Sequence, residues 1–350
     1  MAQTANTETT YQPVVGWPAV PHGIFLHEAT SVGVDSQDRV YVFNRGQWPM
    51  VVFDKEGNFL DAWGAGEFNR PHGVSFDAND NMYLADDANF VQKRTPDGEV
   101  LMTLGQRGVE KPRHTGEPFN SPTHIAIDPR NGDWFVSDGY RNSSVHRFDA
   151  AGKHIMSWGE SGSGPGQFAL PHNICMVGED RVLVADRENY RLQMFTVDGE
   201  FILEKRVHKP QGLFAGTGGD MNIYVAEGRP PLVMEGVRRL GKRVAVLDRD
   251  LNELVSIGNE MSGQAPDQFI SPHAMAVDSE GSIYVAEVSY NGLGSRLEPA
   301  REVVSLRKWR RIDTNGPGEQ GLSGRALEQY MKGLRNDGPG GGSPVNSLYG

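Results

Sequence analysis

Three Pro-His dipeptides, Pro71-His72, Pro171-His172 and Pro272-His273, recur at spacings of 100 and 101 residues. Isolated histidines are common at strand starts, where a hydrogen bond to a neighbouring loop satisfies them. Three at nearly equal spacing in one chain are a different signal, because any regular repeat whose length divides the spacing puts them at equivalent positions. Three neutral imidazoles converging on one point form the donor set of an open zinc site, with the fourth position left for substrate or water. Ferrous iron or another divalent ion suits the same three nitrogens, since ligand type alone does not select the metal. Two further residues carry chemistry. Tyr140, in FVSDGY, becomes a candidate base if a divalent cation lies beside it, and Arg45, in FNRG, offers a fixed fork for a carboxylate or an oxyanion. The remaining histidines lack this symmetry; His124 and His208 are the candidates for support behind the ligands.

The elements that position these residues are repeats. Six segments share one grammar: an apolar strand ending in Asp, a Gly/Asn/Asp turn, a second strand such as YVA or FVS, a polar turn, a third strand, a turn often Asp-Gly, and a fourth strand often closing in Trp-Gly. Strand-length alternations divided by turn dipeptides are hairpin signals. Each unit is therefore a four-stranded antiparallel meander, and six of them at a period of about 40 to 50 residues predict a six-bladed β-propeller. The expected division is an N-terminal segment over 1–23, one all-β propeller over 24–309, and a Gly/Pro-rich tail with a short helical patch over 310–350. The segment VVGWPAVP is expected to lend the strand that closes the ring on blade 6. Two blades is the spacing of the histidines, so they face one another around the channel on blades 2, 4 and 6. Ser31, Thr123 and Gln211 stand near the equivalent place on blades 1, 3 and 5. The insertion GRPPLVMEGVRRLGKR in blade 5 reads as a surface loop or a substrate lid.

Composition narrows the partners. The net charge of −11 and pI near 5.4 repel nucleic acid and anionic lipid, and no long basic run offsets them. No apolar run approaches the length of a membrane span, and the N-terminal residues lack the basic and apolar regions of a secretory signal. With a single cysteine, Cys175, there is no internal disulfide, so a cytoplasmic location is expected. A small-molecule substrate remains as the expected partner, and the sequence leaves the oligomeric state open.

The segment from SPTHIAIDPRNGDWFVSDGY through PHNICMVGEDRVLVADRENYRLQMF resembles the catalytic core of the peptidyl-α-hydroxyglycine α-amidating lyases, which are NHL-repeat propellers. The likeness is strongest over residues 121–203 and extends weakly over 30–290. It implies zinc held by His72, His172 and His273, Tyr140 as catalytic base, Arg45 orienting substrate or stabilising charge, and cleavage of the C–N bond of an N-acyl hemiaminal to an amide and an aldehyde, without a redox cofactor. Such chemistry needs a hydroxylase upstream to make its substrate. The chain departs from the family at Ser271, where the family has Met, and at Ala274, where it has an Asp that helps hold a structural calcium. That loss argues against calcium here, although backbone oxygens near Val32 and Val74 would remain. The family's disulfides are absent too, which points to a small hydroxylated metabolite rather than a peptide. Metal-dependent ester or lactone hydrolysis, or a non-catalytic binding propeller, are the competing expectations; the first usually employs carboxylate ligands, and the second expects no metal.

Overall fold

The computed structural model describes residues 9–217, 219–230 and 241–313. Contacts divide the chain into two units, residues 11–311 and the two chain ends 1–10 with 312–350. Of the second unit only the ends of two strands are described, where the Thr10 hydroxyl donates to the Ile312 carbonyl at 3.5 Å. The tail with its expected helix and most of the blade 5 insertion lie outside the described residues.

The larger unit is a ring of six four-stranded antiparallel sheets. Blade 1 comprises strands Ala29–Val34, Val40–Asn44, Met50–Phe53 and Phe59–Trp63. Blade 2 comprises Pro71–Phe76, Met82–Asp86, Phe90–Arg94 and Val100–Gly105. Blade 3 is Pro122–Ile127, Trp134–Asp138, Ser144–Phe148 and His154–Trp158, and blade 4 is Pro171–Val177, Arg181–Asp186, Arg191–Thr196 and Phe201–Arg206. Blade 5 runs through Pro210–Ala215, Ile223–Glu227, Arg243–Leu247 and Glu253–Ile257. Blade 6 takes Pro272–Val277, Ile283–Glu287 and Leu306–Asp313 from the end of the chain, and its outermost strand, Thr9–Pro13, from the start.

The first strand of each blade touches the first strand of the next all the way round, including blade 6 against blade 1. Burial follows from that geometry. Second strands such as VYVFN, WFVSD and IYVAE are buried throughout, whereas fourth strands such as FLDAW and FILEKR are largely exposed. Six apolar clusters fill the six gaps between neighbouring blades. A sheet with both faces covered reads as a continuous apolar run, which is why the second strands lack alternation. The segment VVGWPAVP is not the closing strand; Thr9–Pro13, immediately before it, is. Its role is instead to plug the seam: buried Trp17 packs on Phe53 of blade 1 and Tyr284 of blade 6, and its indole N–H donates to the Lys55 carbonyl at 3.2 Å. Gly16 and Pro18 on either side of Trp17 explain why the stretch carries the ladder no further than the Val14 amide, which donates to the Lys308 carbonyl. Among the described residues, no helix is long and apolar enough to cross a membrane.

Candidate metal centre

Each first strand carries a register shift at its second residue, so that Thr30, His72, Thr123, His172, Gln211 and His273 are the bulged positions of blades 1 to 6. A bulge re-aims one side chain without ending the strand. On blade 1 the equivalent residue is therefore Thr30, not Ser31. Ser31 lies one residue deeper, where its hydroxyl accepts the Val74 amide at 3.1 Å. A strand can begin with proline because its first residue need not donate to the ladder. The loop before it is held by the acid that ends the second strand. The Asp86 carboxylate accepts the amides of Asn69 and Arg70, Asp138 that of Asn120, Asp186 that of Ala169, Glu227 that of His208, and Glu287 those of Ile270 and Ser271. The acids of the repeat grammar thus clamp the chain just ahead of each Pro-His pair.

His72, His172 and His273 form a nearly equilateral triangle, with ring centroids 4.7 to 4.9 Å apart and ligand nitrogens all within 4.8 Å of one another. All three are buried. Their Nδ1 atoms lie 2.8, 2.6 and 2.6 Å from the carbonyl oxygens of Thr123, Gln211 and Thr30, each on the following blade. A carbonyl only accepts, so each Nδ1 carries the proton and each Nε2 presents a lone pair to the centre. The support behind the ligands is thus main chain. His208 instead accepts the Gly241 amide, and His124 makes no hydrogen bond to a ligand ring, its Nδ1 being buried without a partner. Burial drives the His72 and His172 imidazoles well below their usual range and His273 to about 3; neighbouring imidazoles and the Arg45 and Arg187 guanidiniums add to the effect. Neutral imidazoles with converging lone pairs fit a divalent cation, and the absence of a carboxylate among the three suits zinc or ferrous iron better than calcium.

Tyr140 joins this centre. Its hydroxyl is 3.0 Å from Nε2 of His72 and 3.1 Å from Nε2 of His172. One hydroxyl proton serves only one of these lone pairs, which leaves a surplus of acceptors at the point where a cation would sit. Gly139 sets the position: a Cβ there would run into the Pro171 carbonyl, so only glycine lets the chain pass close enough to place Tyr140 beside His172. Arg45 stands on the same cleft, with its Nη1 donating to Glu28 at 2.7 Å and its Nε buried without a partner. The Glu28 carboxylate is itself fixed by the Asn291 amide at 2.8 Å.

Sequence reasoning missed Arg187. Its guanidinium lies 5.5 Å from the centroid of the Tyr140 ring, a cation–π contact that helps to hold the ring in place. It donates to Gln211 Oε1 at 3.3 Å and Glu188 at 2.9 Å. The signal was in the repeat: Arg187 follows Asp186 as Arg45 follows Asn44, one position shared by blades 1 and 4 on opposite sides of the ring. Together Tyr140, His273, Arg45 and Arg187 line a cleft of about 310 Å³ with Ser271 and Asn291, at the small end of the range for small-molecule sites.

No family model matches the chain. Individual proteins do. Peptidyl-glycine alpha-amidating monooxygenase A of Xenopus laevis is 31% identical over 335 residues, 83% of this chain and 34% of that protein. Peptidyl-alpha-hydroxyglycine alpha-amidating lyase 1 of Drosophila melanogaster is 29% identical, covering 82% of this chain and 60% of that one. Human NHL repeat-containing protein 3 is 28% identical, over 79% and 81% respectively. The chain spans 30 to 38% of the length of the vertebrate monooxygenases it matches. Among solved structures, virginiamycin B lyase from Staphylococcus aureus superposes with a TM-score of 0.53 over 87% of this chain and all of that one, at 12% identity, a likeness of fold. By sequence and by architecture, the chain is a six-bladed propeller homologous to the proteins named peptidyl-α-hydroxyglycine α-amidating lyase and to the peptidylglycine α-amidating monooxygenases.

Proposed function

We propose that the chain is a metal-dependent lyase that cleaves the C–N bond of a small N-acyl hemiaminal, releasing an amide and a carbonyl compound. The observation that carries this reading is the contact of the Tyr140 hydroxyl with Nε2 of both His72 and His172, which puts a proton acceptor at the atoms that would hold a metal. Named lyases among the relatives support it. A zinc or ferrous ion held by His72, His172 and His273 would supply Lewis acidity toward the substrate hydroxyl. Tyr140 takes the hydroxyl proton. The C–O bond becomes a carbonyl as the C–N electron pair leaves with nitrogen, and Tyr140 returns its proton to that nitrogen, so the reaction balances without water or an oxidant. Arg187 lies over the ring and holds it in place, and Arg45 meets the substrate's carboxylate or the charge that develops beside it. The cleft volume supports a small substrate rather than a long peptide.

Elemental analysis and turnover of an N-acyl-α-hydroxyglycine test this directly. The wild-type protein is expected to hold about one equivalent of metal and His172→Ala to lose it. Tyr140→Phe keeps the metal and loses about 10²- to 10⁴-fold in rate, the usual worth of a positioned acid–base group. A folded wild-type protein that holds no metal and cannot be loaded with zinc or ferrous iron would overturn the reading.

A further inference from the structure

We infer that Glu28 is a positioning residue of this site: its buried carboxylate fixes the Arg45 guanidinium on blade 1 and the turn at Asn291 on blade 6, and so presets the part of the cleft that receives the substrate's carboxylate. This rests on the lyase reading of the same site and adds to it the residue through which Arg45 is held.

The repeat shows that blade 1 is built differently from the rest. Blades 2 to 6 end their second strands in Asp86, Asp138, Asp186, Glu227 and Glu287, and each of these acids clamps the approach to its own blade. Blade 1 ends its second strand in Asn44, which serves its own turn instead: its side-chain amide donates to the Trp48 carbonyl at 2.8 Å and its Oδ1 accepts the Gly46 amide at 2.8 Å. The acid stands one element earlier, at Glu28, immediately before the first strand. At that place the other five blades carry Arg70, Ser121, Leu170, Lys209 and Ser271. The main chain is equivalent all the same, since the Arg45 amide donates to the Glu28 carbonyl at 3.0 Å as the Arg187 amide does to that of Leu170 at 3.1 Å. What distinguishes blade 1 is therefore the side chain. The acid has moved to where it meets Arg45.

Each oxygen of the carboxylate serves a different blade. Oε2 accepts from Arg45 Nη1 at 2.7 Å, and Oε1 accepts the Asn291 amide at 2.8 Å. Glu28 is buried, so the charge is desolvated and depends on both partners. Arg45, Asn291 and Gly292 all line the cleft, and Asn291 belongs to the long excursion 288–305 between the second and third strands of blade 6. His27 grips the same excursion. Its ring centroid lies 4.1 Å from that of Tyr290, and its Nδ1 lies 2.8 Å from Glu302 Oε1. The backbone at His27 is left-handed, with φ 52°, an uncommon conformation for a residue with a side chain. Successive residues of one short approach thus pin blade 6 to blade 1 beside the cleft. An arginine that is already held loses less side-chain freedom when a carboxylate arrives, and the gain appears as affinity.

The test is a double-mutant cycle of Glu28→Gln with Arg45→Gln, read by calorimetry as the affinity of the metal-loaded protein for N-benzoylglycine, a carboxylate that lacks the reacting hydroxyl. Glutamine keeps the shape but offers one acceptor oxygen, and its amide nitrogen meets a second donor, so it cannot hold both partners. Each single variant is expected to bind about tenfold more weakly than wild type, and the double variant to stay within about threefold of Arg45→Gln alone, because the carboxylate acts through the arginine. Losses that multiply to about a hundredfold in the double variant would overturn the inference. So would a Glu28→Gln protein that melts earlier yet binds like wild type, since its role would then be structural only. If Glu28→Gln does not fold, Glu28→Asp, which keeps the charge but is one methylene too short to span both partners, takes its place in the cycle. Turnover of the α-hydroxy counterpart separates the two claims. Turnover with independent losses keeps the lyase and refutes the role of Glu28. Coupled losses without turnover refute the lyase and retain Glu28 as the residue that sets Arg45.

Discussion

The His124 imidazole carries a pH signature that its position explains. It lies one residue past the bulge on blade 3, with Nδ1 buried and unpartnered, and burial pushes it down from 6.5 to about 4. In the unfolded chain it protonates as the pH falls through 6.5; in the folded protein it does not until about 4. Between those values the unfolded state binds the extra proton, so stability falls with falling pH by about 1.4 kcal/mol per pH unit and about 3 kcal/mol in all. Urea midpoints between pH 7 and pH 4 for wild type and His124→Gln check this. The variant is expected to lose less stability on acidification, and parallel profiles would remove His124 as the cause. At this scale the candidate residues His72, His172, His273, Tyr140 and Arg45 were legible because a repeat makes departures visible. The partners of the imidazoles were not, because backbone carbonyls leave no trace in residue identity.

At the scale of the element, the ligands depend on how closely neighbouring first strands approach. A Cβ on Gly73 would stand 2.6 Å from the Thr123 carbonyl oxygen and 2.9 Å from the His124 Cα. That same Thr123 carbonyl accepts the proton of the His72 Nδ1. Gly73→Ala must therefore push blade 2 and blade 3 apart at the point where His72 is held, at a cost of about 1–3 kcal/mol. Metal affinity is expected to fall along with the melting temperature. A variant that melts earlier yet holds its metal as tightly as wild type would show that the imidazole does not need this close approach. The four-stranded meanders and their order could be read from alternation and turn dipeptides. The bulges could not, since one unpaired residue per strand leaves the pattern of types unchanged, and so Ser31 rather than Thr30 looked equivalent to the histidines. The closing strand was misplaced for a similar reason: VVGWPAVP is apolar enough for a strand, but it is the seam plug, and the more polar TTYQP, exposed at alternate positions, pairs at the sheet edge.

For the molecule as a whole, the ring is closed by chain from both ends. Val14 donates its amide to the Lys308 carbonyl at 2.9 Å, and the Tyr11 hydroxyl meets that of Tyr224 on blade 5 at 3.4 Å. Deleting residues 1–13 exposes a sheet edge on blade 6. A loss of about 3 kcal/mol or more is expected, a drop of about 5 °C in a chain of this size. Calorimetry decides it: an unchanged melting temperature would mean that the seam holds through Trp17 and the inner strands alone. The three histidine-to-carbonyl bonds run from blade 2 to 3, from 4 to 5 and from 6 to 1, so they couple the six blades in pairs. A backbone cut between blades 3 and 4 leaves the first two couples each within one fragment and asks only the third to form between fragments. A cut between blades 2 and 3 divides two couples. Split versions of this protein should therefore reassemble a working centre more readily when they are cut between blades 1 and 2, 3 and 4 or 5 and 6 than when they are cut between 2 and 3 or 4 and 5.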